Sequence, residues 1–158
     1  MAEVEALKNA DKFYELREMP NGKALMLKAA GTASKKPTVD TEALKLGGRV
    51  QRVSIGREWI RAYNEACGFE GSDISLTAPQ VLASPLHMYL MTRKDHPFPM
   101  LGMVHLHNSI ELIKPLEFET QYDLVVVMGE TRTIRQGREF DVHTELLLDG
   151  ETVWKSTM

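Results

Sequence analysis

The sequence has a single cysteine, Cys67, among its 158 residues, and this scarcity excludes several kinds of site. A lone thiol cannot form an internal disulfide or build the cysteine clusters that hold zinc and iron–sulfur groups. No apolar run approaches the roughly 20 residues that a membrane-spanning helix needs. Residues 1–5 include two glutamates and do not have the positively charged start of a secretory signal. We therefore expect a soluble, cytoplasmic protein with no metal or cofactor.

An excess of positive charge is also missing. The chain has 19 Lys and Arg against 22 Asp and Glu, for a net charge of -3, and the basic residues are spread along the sequence. Nucleic acid is therefore not an expected partner. A length of 158 residues with 43% apolar content suits one domain with one core.

The first third of the chain carries little pattern. Apolar residues recur at helical spacing over residues 2–16, which predicts an amphipathic helix. Residues 19–22 form a strong turn signal, and the small, polar residues 29–38 indicate a loop or linker. We therefore expect residues 1–48 to form an N-terminal helix and linker, and residues 49–158 to form a single domain.

The pattern sharpens from residue 49. Residues 49–55 alternate as a half-buried strand does, and residues 57–67 have helical spacing, with Gly68 where a C-cap glycine belongs. Ser84 followed by Pro85 predicts the start of a second helix, with the serine capping it and the proline in the first helical position. This helix is apolar almost all round, so it should be buried.

The remainder reads as a series of strands. The predicted strands are residues 102–114, 120–129, 131–134, 138–148 and 152–158. Asp149 and Gly150 form a favoured two-residue hairpin turn. A strand, two helices and an antiparallel meander predict an α+β fold in which one long helix lies against a curved sheet.

This order and several segments resemble the MaoC-like acyl dehydratases, whose hot-dog fold wraps an antiparallel sheet around a central helix. The similar segments are residues 59–69, 78–88, 98–108, 114–116 and 149–154. Residues 102–108, Gly-Met-Val-His-Leu-His-Asn, are most similar to the non-catalytic, N-terminal-type repeat of the family. The resemblance implies that the chain binds an acyl-CoA or acyl-ACP thioester, and that it forms a homodimer or a heterodimer with a catalytic hot-dog copy.

The family's active copy carries a Gly-Asp-x-Asn-Pro-x-His motif before the central helix. Residues 67–80 contain Asp73 but no histidine, whereas hydration needs two groups with separated pKa values around one water. The family also begins its central helix with an Ala-His-Gly turn, whose glycine N–H is the expected donor to the thioester oxygen. Pro85 stands at that position when residues 83–85 are matched to the turn, and proline has no N–H to donate. The resemblance therefore implies that this chain alone is inactive.

The remaining candidates have ordinary alternatives. Asp73 and His87 are weak catalytic candidates, and His87 fits a hydrogen-bonded core histidine better. His105 and His107 share one face of a predicted strand but lack a third metal ligand, so a polar surface is the better interpretation. The candidate substrate-binding residues, chosen for their position on the central helix or the strand that follows, are Ser84, His87, Met88, Met103 and Asn108.

Two functions of different class follow. The leading hypothesis is an acyl-thioester-binding subunit that supports (R)-specific enoyl-thioester hydration, or 3-hydroxyacyl-thioester dehydration, with a catalytic partner copy. The alternative is a self-sufficient hot-dog thioesterase or dehydratase with relocated catalytic residues. A purely structural or regulatory dimer also stays open.

Overall fold

A computed structural model describes residues 10–34 and 45–158. Within these residues, six strands form one sheet in the order β1-β2-β4-β5-β6-β3. Neighbouring strands are antiparallel, except that β1 runs parallel to β2. The strands are Lys12–Leu16 (β1), Leu46–Ser54 (β2), Ser109–Leu112 (β3), Gln121–Ile134 (β4), Gly137–Leu148 (β5) and Glu151–Thr157 (β6). The helices are Gly22–Gly31 (α1), Arg57–Cys67 (α2) and Ala78–Met91 (α3).

Helix α3 lies against the sheet and forms the centre of the core. Leu86 and Leu90 are fully buried and belong to the same apolar cluster as Leu124 of β4, Leu146 of β5 and Trp154 of β6. A helix with so few polar positions is stable only when neighbouring elements cover it on most sides. The α+β arrangement predicted from the sequence is confirmed.

Helix α2 and the last hairpin also agree with the sequence. Gly68 ends α2 in the left-handed conformation, with φ of 70°, and its N–H bonds to the last turn of the helix. Asp149 and Gly150 have φ of 53° and 84°, so both central residues of the β5–β6 turn are left-handed. Two positive φ values match the twist of a tight hairpin, and glycine adopts them without strain.

Strand β4 is one long strand where the sequence predicts two shorter ones. The predicted strands 120–129 and 131–134 are both part of β4, whose register with β5 shifts between Met128 and Thr131. This irregularity accounts for the break in the sequence pattern, because an extra residue changes which face the following side chains occupy. Strand β2 likewise begins at Leu46, three residues before the predicted start.

The predicted helix over residues 2–16 is wrong wherever the structure describes it, and its residues 2–9 lie outside the described part. Lys12–Leu16 is strand β1, paired in parallel with β2. A Cβ added to Gly47 of β2 would come within 2.5 Å of Phe13 Cδ2, so the glycine leaves the space that the aromatic ring occupies. Pairing with β2 therefore overrides the helical spacing, since intrinsic helical preference is a weak guide.

The loop predicted over residues 29–38 is also wrong in its first part. Helix α1 extends to Gly31 and a short 3₁₀ turn follows at Thr32–Ser34, while residues 35–38 lie outside the described part. Asn21 from the predicted turn caps α1, because its side-chain oxygen accepts a hydrogen bond from the Ala24 N–H at 3.2 Å. The boundary at residue 49 stays a prediction, although β1 shares the sheet with the predicted domain.

Candidate functional site

In the related dehydratases, the start of the central helix is expected to supply the donor to the thioester oxygen. In this chain the corresponding helix, α3, starts earlier than the sequence predicts. It begins at Ala78, so Ser84 does not cap it and Pro85 lies inside it. The Ser84 hydroxyl instead donates to the Gln80 carbonyl at 3.2 Å, one turn back. The prediction that Ser84 and Pro85 begin the helix is wrong, because Pro79 already holds the early position that suits proline.

The amides of this first turn are largely occupied. The Ala78 N–H donates to the Ser75 carbonyl at 3.1 Å and the Gln80 N–H donates to the Thr77 carbonyl at 3.2 Å. Pro79 lies between them and has no N–H. The first three positions of α3 therefore present no free backbone N–H.

His87 lies in the second half of α3 and is buried against β5. Its Nε2 lies 2.8 Å from Thr144 Oγ1, and the two residues are 5% and 0% exposed. Burial lowers the pKa of His87 from the ordinary value of 6.5 to about 4, since the charged imidazolium loses its hydration. At neutral pH, His87 is therefore an uncharged, hydrogen-bonded core residue.

Asp73 lies elsewhere, in the exposed loop before α3. It lines a shallow pocket with Phe69 and Leu76, both of which are half-exposed. The loop is held by Asn64, whose side-chain amide donates to the Gly71 and Asp73 carbonyls at 3.3 and 3.1 Å. The structure therefore places Asp73 at the surface and His87 in the core, and it does not bring the two together as an acid–base pair.

The other predicted binding residues are also spread out. Met88 faces α1, where its Cε would lie 3.8 Å from a Cβ built on Gly22. Met103 is half-buried against the core, and Asn108 is exposed. The predicted strand 102–114 is reduced to Ser109–Leu112, so Asn108 precedes the strand.

Three further histidines lie outside the helices and strands. His105 and His107 lie outside any strand, and a ring nitrogen of His105 lies 2.7 Å from the His107 carbonyl. His96, which its loop position predicts to be solvated, is 3% exposed and packs edge-on against Phe98 and Phe140. In the part of the chain that the structure describes, no group of three or more His, Cys, Asp or Glu side chains is placed to bind a metal ion.

An exposed apolar segment is the feature that the sequence analysis missed. Leu101, Val104 and Leu106 are 53%, 75% and 68% exposed, and Leu112 and Ile113 are 47% and 44% exposed. We call residues 101–113 the apolar segment. Its alternating residues predict a strand with one covered face, whereas in the structure only Ser109–Leu112 forms a strand, the edge strand β3, and residues 101–108 before it are turn and coil. The density of large apolar residues near a sheet edge is the signal that could have indicated a docking surface.

No family model matches the sequence. It is similar to 3-hydroxyacyl-thioester dehydratase X of Mycobacterium tuberculosis, with 29% identity over 140 residues that cover 85% of this chain and 49% of the relative. The crystal structure of HtdX from the same organism aligns with 26% identity and a TM-score of 0.64, covering 70% of this chain and 48% of that one. A chain of the ChsH1-ChsH2 complex of M. tuberculosis aligns over 87% of this chain and 89% of its own, with 12% identity and a TM-score of 0.45.

The protein therefore has the hot-dog α+β fold, as the sequence predicted. Its resemblance to the acyl-thioester dehydratases of the MaoC-like group is confirmed by 3-hydroxyacyl-thioester dehydratase X. The chain spans about half the length of that relative. Among the described helices, none is both long enough and apolar enough to cross a membrane.

Proposed function

We propose that the chain is an acyl-thioester-binding hot-dog subunit. It supports (R)-specific enoyl-thioester hydration and 3-hydroxyacyl-thioester dehydration together with a catalytic hot-dog copy. The reaction class is supported by similarity to 3-hydroxyacyl-thioester dehydratase X. The supporting role rests on one observation, namely that the first turn of α3 lacks both an acid–base pair and a free amide donor.

Each part of that observation bears on a different step. Adding water across a double bond requires a general base and a general acid within hydrogen-bond reach of one water. His87 is enclosed in the core with Thr144, and Asp73 faces solvent on another element. Stabilising the enolate requires a donor aimed at the thioester oxygen, and losing one such donor costs about 3 kcal/mol of barrier in other enzymes.

The apolar segment supports the proposed association with a second hot-dog copy. Val104 and Leu106 lie two residues apart and are 75% and 68% exposed, and exposed apolar side chains that form a patch mark interaction sites. They shortly precede β3 in the chain, and β3 is an edge strand with one unpaired side. An edge strand flanked by exposed apolar residues is a surface on which a second hot-dog domain can pack and pair.

The central test is activity of the purified chain with crotonyl-CoA. We expect the chain to bind crotonyl-CoA, detected by perturbation of its NMR spectrum, without hydrating it faster than buffer. Hydration at an enzyme-like rate would overturn the proposal, and loss of that rate in Asp73→Asn or His87→Gln would favour the self-sufficient enzyme. Release of free thiol from acyl-CoA would indicate the thioesterase alternative.

The partner surface has its own test. We expect the chain to associate with itself when no catalytic copy is present, and Val104→Glu to reduce this association at least tenfold because a charge would be buried at the contact. The matched control is Leu27→Glu on α1, where Leu27 is 79% exposed and lies outside the apolar segment. Light scattering over a concentration series measures both. Equal association of the two variants would contradict the assignment of this surface.

A further inference from the structure

A second concave surface lies away from the first turn of α3, where β1 ends and β2 changes register. It is an open depression in the surface of the β1–β2–β4 part of the sheet. Its lining residues, most of them polar or charged, are Glu15, Leu16, Arg17, Gln51, Arg52 and Gln121. Neither the fold comparison nor the proposed reaction accounts for it.

Arg52 has an unusual backbone in this depression. Its φ is 59°, in the left-handed region that long side chains rarely adopt. It lies where the register between β2 and β4 shifts between Val50 and Val53, and its N–H donates to Asp123 Oδ1 at 3.3 Å. Glycine or asparagine would fit this conformation with less strain. Strained positions of this kind cluster at functional sites. The presence of arginine here, where glycine would be less strained, therefore suggests that its side chain has a function.

The charges around the depression are not balanced. Arg49 forms ion pairs with both nearby carboxylates, since its Nε lies 3.3 Å from Glu15 Oε2 and 3.8 Å from Asp123 Oδ2. Among the described residues, the guanidinium groups of Arg17 and Arg52 have no ion-pair partner. The charged residues that line the depression are therefore two arginines, Arg17 and Arg52, and one carboxylate, Glu15, which is already paired with Arg49.

The donors that remain suit one kind of ligand. A guanidinium offers several N–H donors in a planar fork and accepts nothing, and its shape fits phosphate oxygens. The side-chain amides of Gln51 and Gln121 add neutral donors at the same wall. Several donors around one open space favour an anion with many oxygens over a carboxylate with two.

We propose that this depression binds a phosphate-bearing ligand through Arg17 and Arg52. The inference does not depend on the acyl-thioester function, because the ligand is recognised by its phosphate alone. The phosphate can belong to the nucleotide end of coenzyme A or to a free phosphate or diphosphate. The chemistry at the arginines is the same in each case.

The test uses the full chain titrated with sodium pyrophosphate, coenzyme A and pantetheine at low ionic strength, followed by calorimetry. We expect pyrophosphate and coenzyme A to bind and pantetheine not to bind in this depression. Arg17→Gln and Arg52→Gln should each weaken pyrophosphate binding about tenfold, the size expected for losing one charge-assisted contact. Arg61→Gln on the exposed face of α2 makes the same change in net charge elsewhere and should leave binding unchanged.

A second substitution at the same position separates a functional arginine from a structural one. Arg52→Gly should raise the melting temperature, because glycine adopts the left-handed backbone without strain, and should still lose pyrophosphate binding. A structural role predicts that stability falls instead.

The proposal is overturned if pyrophosphate does not bind the wild-type chain, or if Arg52→Gln binds it as the wild type does. An equal loss in Arg61→Gln would also overturn it, since that would indicate general charge attraction. If coenzyme A binds much more tightly than pyrophosphate and Arg52→Gln removes the difference, the nucleotide end of coenzyme A is the ligand. If both bind equally, a free phosphate or diphosphate is sufficient.

Discussion

The buried His87 makes the stability of the fold depend on pH in a way that can be measured separately from every other group. In the folded chain the imidazole is enclosed beside Thr144 and its pKa is about 4, whereas its ordinary value is 6.5. The unfolded chain therefore takes up a proton at a higher pH than the folded chain. Stability from this residue is complete above pH 6.5 and is lost as the pH falls towards 4.

The magnitude follows from the two pKa values. Each unit of difference is worth about 1.4 kcal/mol when the pH lies below both values. At pH 5 the unfolded chain is mostly protonated at this site and the folded chain mostly is not. The linkage relation then gives a loss of about 2 kcal/mol between pH 7 and pH 5. Such a loss is a large fraction of the 5–15 kcal/mol that stabilises a typical domain.

The assay compares urea unfolding of the wild type and His87→Gln at pH 7 and pH 5, monitored by tryptophan fluorescence. Glutamine can still bond to Thr144 but does not titrate, so its free energy of unfolding should fall about 2 kcal/mol less than that of the wild type over this interval. Carboxylates with lowered pKa, such as Asp95 and Glu151, contribute equally to both proteins and cancel in the comparison. Replacing the exposed His105 by glutamine is the control. Parallel pH dependence in the wild type and His87→Gln would refute the assignment of His87 as a neutral core residue.

Two further substitutions test the packing. Leu86→Ala, at the fully buried centre of α3, should lower the free energy of unfolding by about 2–5 kcal/mol, measured by urea denaturation, and a loss below about 1 kcal/mol would contradict the core position. Gly47→Ala should cost about 1–3 kcal/mol because the new Cβ would meet the Phe13 ring, whereas Gly31→Ala meets nothing within 4 Å and should be neutral or slightly stabilising. Equal melting temperatures for the two glycine variants would contradict the contact between Phe13 and Gly47.

The parts of the fold that the sequence predicts well are those whose signals are local. Helix α2 carries two such signals, the helical spacing of its apolar residues and the left-handed glycine that ends it. The turn at Asp149 and Gly150 is equally self-contained, since two residues determine its geometry. Such elements need no knowledge of the rest of the chain.

The parts that the sequence mispredicts depend on distant partners. Lys12–Leu16 has helical spacing with the residues before it, yet it becomes β1 because β2 offers a pairing edge and Gly47 leaves room for Phe13. The apolar segment alternates as a strand would, but only four of its residues find a partner strand, in β6. The spacing of apolar residues indicates which face of an element would be buried, but it does not show whether another element packs against that face.

The start of α3 differs from the helix start that the sequence predicts. Matching residues 83–85 to the family's helix turn put Pro85 at the donor position, and the helix in fact begins at Ala78. Pro79 has no N–H, and the Ala78 and Gln80 N–H groups donate to the Ser75 and Thr77 carbonyls. A catalytic copy must keep an amide free at this point, because the developing charge on the thioester oxygen is stabilised only by a donor not already engaged. The case for a supporting subunit therefore rests on how these amides are bonded more than on which residue types are present.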